Sequence, residues 1–114
     1  MTALCRLCAR SETAEWIYMS CYFVAQINIH DREEYQKYLD GYDEIFEKYK
    51  GIVVAVDDNP TVLEGEWPYT RTVLIRFPDE HEAKKWYESS EYRELVKHRH
   101  RASEANIVLV KRHK

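Results

Sequence analysis

The feature that most constrains this chain is the order in which its hydrophobic period changes along the sequence. From Cys21 to Ile29 it alternates: Cys21, Phe23, Ala25, Ile27 and Ile29 fall on one face, and Tyr22, Val24, Gln26 and Asn28 on the other, which is the signature of a strand. The period then lengthens. Asp31 with Glu34 three residues on has the spacing of a capping box. The stripe Tyr35, Tyr38, Leu39, Tyr42, Ile45, Phe46, Tyr49 follows at helical intervals, with Gly51 just beyond in the place a helix end favours. Ile52 to Val56 is a β-branched run and predicts a second strand, Asp57-Asp58-Asn59-Pro60 a turn, and Thr61 to Glu64 a return to extended chain. Arg71 to Phe77 alternates again. Asp79 with Glu82 repeats the capping spacing before a short helix through Ala83, Trp86 and Tyr87. Ser89-Ser90 interrupts it, a further helix starts near Glu91 with Tyr92, Leu95, Val96 and Arg99 on one stripe, and Ile107 to Val110 is the last strand, before a basic end at Lys111 to Lys114.

The order is β-α-β-β-α-β with the second helix broken in two. That predicts an α+β, ferredoxin-like fold: one antiparallel sheet with its helices on one side. The outward faces of the strands carry Val24, Leu74, Val108 and Val110, more apolar surface than a solvated sheet face needs. A second cover is expected, and a second copy of the chain, packed sheet to sheet, is the partner inferred.

At 114 residues the chain is one domain and long enough to bury a core unaided. Residues 21–114 make up that domain. Residues 1–20 show no period and read as an irregular N-terminal extension, with Met19 as a candidate natural start. A net charge of −3 from 17 basic and 20 acidic residues disfavours nucleic acid, which needs a basic face. The longest apolar run, Trp16 to Ala25, is too short to span a bilayer and lacks the flanks of a signal peptide. Three cysteines, Cys5, Cys8 and Cys21, are an odd number crowded at one end, which fits a reducing cytoplasm better than a disulfide framework. Cys5-x-x-Cys8 lacks the further ligands that zinc requires, so no metal is expected. No Ser-His-Asp order, phosphate-binding glycine loop or dinucleotide fingerprint occurs, and no organic cofactor is expected.

Several pieces, in order, resemble one family. They are Leu63-Glu64-Gly65-Glu66-Trp67, then Arg71, Phe77-Pro78-Asp79, Ala83-x-x-Trp86-Tyr87, Ser90-Glu91-Tyr92, Arg99-x-Arg101-Ala102 and Ile107-Val108-Leu109-Val110. Together they resemble the family known as domain of unknown function 1330, from about Tyr22 to Val110. The chain has Asp79 where members commonly have Ser, which keeps a helix cap, and Lys111 where they often have Gly. The resemblance implies the dimeric α/β-barrel superfamily, in which two ferredoxin-like protomers pack their sheets together. Relatives there include cofactor-independent monooxygenases, muconolactone isomerase and haem proteins, with pockets between sheet and helices or inside the barrel. It implies a fold and no substrate.

Two arginines stand on stripes that are otherwise apolar. Arg71 shares a face with Val73, Ile75 and Phe77, and Arg99 continues the stripe of Tyr92, Leu95 and Val96. One reading has both converge on an anionic ligand, a carboxylate being the natural bidentate partner. The other has them snorkel to solvent or pair with an internal acid such as Glu64. Trp67, Trp86, Tyr87 and Tyr92, with Tyr38 and Tyr42, either line a pocket for a flat ligand or fill the core. His30, just before the first helix, is a candidate acid or base by its ordinary pKa alone. His98 and His100 do not share a helix face. The expected ligand set is therefore Arg71, Arg99, Trp67, Trp86, Tyr92 and Tyr42, and the expected function a cytoplasmic homodimer binding a small acidic or aromatic metabolite, isomerase-like or monooxygenase-like. The alternative is a non-catalytic dimeric binding or regulatory module, which should show a filled core with both arginines in solvent.

Overall fold

The computed structural model describes residues 20–113. Four strands, β1 (Cys21–Ile29), β2 (Ile52–Asp57), β3 (Arg71–Phe77) and β4 (Ser103–Lys111), form one sheet in the order β2-β3-β1-β4. Every neighbouring pair is antiparallel. Three helices, α1 (Arg32–Phe46), α2 (Glu80–Tyr87) and α3 (Ser90–Ala102), complete the β-α-β-β-α-α-β order. Each helical crossover joins two mutually parallel strands with a third strand between them, the split βαβ arrangement. The segment 1–19, with Cys5, Cys8 and Met19, lies outside the described residues.

Local chemistry explains the helix starts. The carboxylates of Asp31 and Asp79 accept from the backbone N–H of Glu34 and Glu82 at 3.1 and 2.9 Å, and the Ser89 hydroxyl accepts from Tyr92 N–H at 3.2 Å. Each satisfies an N–H that the helix itself leaves unpaired. Ser89 thus caps α3, which begins at Ser90.

Three boundaries differ from expectation. α1 stops at Phe46, so Tyr49 packs against the core from the turn that follows. Gly51 is therefore not a helix-end residue, and it has no positive φ. It is side-chain-free because a Cβ there would lie 2.5 and 2.7 Å from the Phe46 and Phe77 rings. Thr61 to Glu64 is irregular chain, not strand. β4 begins four residues before Ile107, because Ser103 is already extended and pairs with Ile29 in the β1–β4 ladder.

The core lies between one sheet face and the helices. Phe23, Ile75 and Phe77 from the strands meet Trp86, Tyr92 and Val96 from α2 and α3 and Tyr35 and Tyr38 from α1. The other sheet face is open: Val108 and Val110 are 55% and 46% exposed and edge residue Ile52 is 48% exposed. Among the described residues no helix is long and apolar enough to cross a membrane.

Candidate functional site

The covered side is not filled evenly. Between α1 and the β2–β3 edge lies a cavity of about 410 Å³, lined by Tyr38, Leu39, Tyr42 and Asp43 from α1 and by Val53, Val56, Arg71 and Val73 from the sheet. It exists because β2 is an edge strand that α1 does not reach. All six β2 residues are exposed, and a register irregularity between Val53 and Ala55 bends the strand.

Arg71 sits at the start of β3, on the helix-facing side. Its guanidinium lies over the Tyr35 ring at 5.8 Å, and its Nη1 donates to Asp58 Oδ1 at 2.9 Å. The Arg71 side chain is 19% exposed and that of Asp58 55%. The internal acid is thus Asp58 rather than Glu64. β2 and β3 pair Asp57 with Thr72, so continuing the ladder by one step sets Asp58 across from Arg71. Identifying that partner needed the register of a hairpin whose connection runs from residue 58 to 70.

Arg99 is differently placed. It is 3% exposed on the inner face of α3, with its guanidinium over the Tyr38 ring at 5.7 Å. It lines a different cavity, near the start of β4. The two arginines therefore do not converge on one space; each stacks on a different one of two adjacent rings, Tyr35 and Tyr38, whose centroids are 5.5 Å apart.

A tyrosine cluster joins these features. The hydroxyls of Tyr38 and Tyr92 share a hydrogen bond of 2.6 Å. Burial raises the pKa of Tyr38 and of Tyr42 well above the ordinary phenol value, with the neighbouring Tyr92 adding to it in both cases. These phenols therefore stay protonated and act as neutral hydrogen-bonding groups. Burial works to lower the pKa of Arg99, and Tyr92, Tyr38 and Tyr87 around it more than offset that, so the net direction is upward.

The remaining expected residues separate. Tyr42 lines the α1–β3 cavity with Arg71. Trp86 and Tyr92 are each 1% exposed and pack against one another with ring centroids 4.4 Å apart, so they are core. Trp67 lies on the opposite side of the sheet: its Nε1 donates to Thr72 Oγ1 at 3.0 Å, and Thr72 alternates with Arg71 along β3. Tyr69 beside it accepts from Asn106 at 3.2 Å, so this loop straps across the open face. His30 is exposed, lines neither cavity, and contributes its backbone N–H to Ala102 at 2.9 Å. Sequence reasoning missed Asp43 and Asp58, which read as a solvated helix residue and a turn residue. It also missed Val53 and Val56, whose role depends on the sheet edge.

A sheet of order β2-β3-β1-β4 with helices on one side and a pocket beneath them defines a ferredoxin-like α+β domain. A protein of unknown function from Rhodopseudomonas palustris shares the fold at TM-score 0.71 and 18% identity, over 92% of this chain and 94% of that one. The cofactor-independent oxygenase SnoaB of Streptomyces nogalater shares it at TM-score 0.62 and 9% identity, over 83% and 94%. A dimeric ferredoxin-like protein of unknown function from Bacteroides fragilis does so at TM-score 0.50 and 13% identity, over 82% and 96%. Among curated proteins none matches this sequence. The model of the domain of unknown function DUF1330 matches residues 20–113, and the chain belongs to that family.

Proposed function

We propose that this protein is a homodimer, housed in a reducing compartment, that binds a small aromatic or acidic metabolite in the α1–β3 cavity and transforms it without an organic cofactor, in the manner of an isomerase or a monooxygenase. One observation carries the reading: a cavity of about 410 Å³ holds a half-buried guanidinium, two tyrosines and an apolar strand wall together. That volume lies within the range of small-molecule sites, about 300–1,000 Å³, as does the mix of apolar lining with few polar groups. A pure interaction module has no use for such a space, and neither arginine stands free in solvent.

Within the cavity Arg71 is the anchor. A guanidinium has five donors in a fixed fork, so its contacts with exposed Asp58 and with Tyr35 leave capacity for a ligand carboxylate or phenolic oxygen. Val53, Val56 and Val73 offer a flat apolar wall, and Tyr42 with Tyr38 closes the α1 side. Dimerisation is supported by the apolar open face and by the dimeric relative of like fold.

Calorimetric titration with salicylate as the probe and neutral salicylamide as its control tests the site. Salicylate should bind to the wild type and bind much more weakly to Arg71→Ala, while salicylamide should bind the wild type more weakly than salicylate does and be little affected by the substitution. Salicylate binding unchanged in Arg71→Ala would remove Arg71 from the site. Sedimentation of the double variant Leu74→Glu, Val108→Glu tests the dimer: a folded monomer is expected, and an unaltered dimer would move the interface elsewhere.

A further inference from the structure

Arg71 has an acid to answer it, whereas Arg99 has none among the described residues. Its Nη2 is buried with no hydrogen-bond partner among the described residues. The groups that act on its charge are the phenols Tyr92, Tyr38 and Tyr87, of which Tyr92 also hydrogen-bonds to it, with no carboxylate among them. A guanidinium taken out of water without a counter-ion is strongly unfavourable. The Tyr38 ring face offsets only part of that cost.

A cleft of about 320 Å³ lies beside it, between the end of α3 and the start of β4, lined by Arg99, His100 and Ser103 and by Tyr87, Ala105 and Ile107. Among the described residues no acidic side chain is on that lining. The Ser103 hydroxyl donates to the Arg99 carbonyl oxygen at 2.7 Å and is not free to donate elsewhere. Arg99 and His100 are then the groups that can answer an anion. Burial, and next the charge of Arg99, lower the pKa of His100, so the imidazole beside Arg99 is held in its neutral form, still with one N–H to donate. Tyr87, Ala105 and Ile107 make the rest of the wall apolar.

We infer that this cleft is a second ligand site, separate from the α1–β3 cavity, which takes a carboxylate with a short apolar body: the carboxylate on Arg99 and His100, the body against Tyr87, Ala105 and Ile107. The ligand supplies the counter-charge that the fold withholds from Arg99. Binding therefore stabilises the folded chain by mass action.

The test is thermal unfolding of the full chain at constant ionic strength, with chloride exchanged stepwise for acetate or butyrate. Butyrate should raise the midpoint saturably and at lower concentration than acetate. Arg99→Met should abolish the rise, and in chloride alone it should unfold at or above the wild-type temperature, because the uncompensated charge is gone. His100→Ala, at an exposed position and without the ring N–H, should bind butyrate about tenfold more weakly, and it carries the test if Arg99→Met fails to fold. Arg71→Ala should still show a butyrate rise that depends on Arg99 and His100, which separates this site from the one proposed above. No butyrate effect in the wild type, or an effect unchanged in His100→Ala or in a folded Arg99→Met, overturns the site. Loss of the effect in Arg71→Ala overturns its separateness, and equal potency of acetate and butyrate overturns the apolar body.

Discussion

The two ends of the covered sheet face are built from opposite materials. At one end, where β1 begins and β3 finishes, Trp86 stacks on Phe77 at 5.6 Å and meets Phe23 and Phe46 edge-on at 5.3 and 5.4 Å. Ala83 and Cys21 fill the remaining corners, each 1% exposed. At the other end, where β3 and β4 begin, the face carries Arg71, Arg99 and tyrosines, with a cavity on either side. The first end is close-packed rings in van der Waals contact, and its interactions are non-directional. The second consists of charges and hydroxyls, whose value depends on direction and on what occupies the adjoining space. The aromatic end is thus expected to carry most of the stability, while the cavities lined by the two arginines lie at the polar end.

Substitutions at the two ends should separate accordingly. Trp86→Ala should have the largest effect, a loss of about 3–5 kcal/mol in urea unfolding; a loss under about 1 kcal/mol would show that the aromatic end is not the main support. Gly51→Ala comes next. Its Cβ would strike Phe46 and Phe77, and overpacking of this kind costs about 1–3 kcal/mol; an unchanged unfolding midpoint would mean the rings have room to yield. Tyr38→Phe, toward the polar end, removes one shared hydrogen bond and should cost about 1 kcal/mol while leaving the aromatic end intact by near-ultraviolet circular dichroism.

The smallest effect is a pH dependence. Glu34 on α1 accepts from His98 at 2.6 Å and from Arg101 Nε at 3.0 Å on α3. The hydrogen bonds from His98 and then Arg101 hold its pKa at about 2, below the ordinary 4.5. A depressed carboxylate pKa means that the unfolded chain takes up the proton first. The stabilisation is complete above pH 4.5 and fades as pH falls toward about 2. The difference between wild type and Glu34→Gln in acid titrations of unfolding should shrink over that window; a difference that grew there would show that the network opposes folding.

The site was legible in part. Arg71 stood out because a charge on an apolar strand face must be answered by something, and it does line a cavity. Arg99 stood out for the same reason, and its near-complete burial follows from its place on the α3 stripe. Their convergence on one ligand did not follow, since equal spacing along two elements says nothing about which side of a third, α1, each approaches. Trp67 belongs to a connection with no period at all, so the side of the sheet on which it lies depended on long-range contacts, its own hydrogen bond to Thr72 and that of neighbouring Tyr69 with Asn106.

What the amino-acid order determined alone is everything settled within a few residues. Alternation made β1 and β3, the tyrosine stripe made α1, and Asp31, Asp79 and Ser89 set where the helices start, because a cap is satisfied by an N–H two or three positions away. Tertiary structure decided the rest: that Asp58 faces Arg71, that Gly51 must lack a side chain, and that Arg99 is buried with no acid paired to it among the described residues while the two arginines line separate cavities. Those outcomes depend on register and on helix placement over the sheet, which arise from contacts between segments distant in sequence and leave no mark on local periodicity.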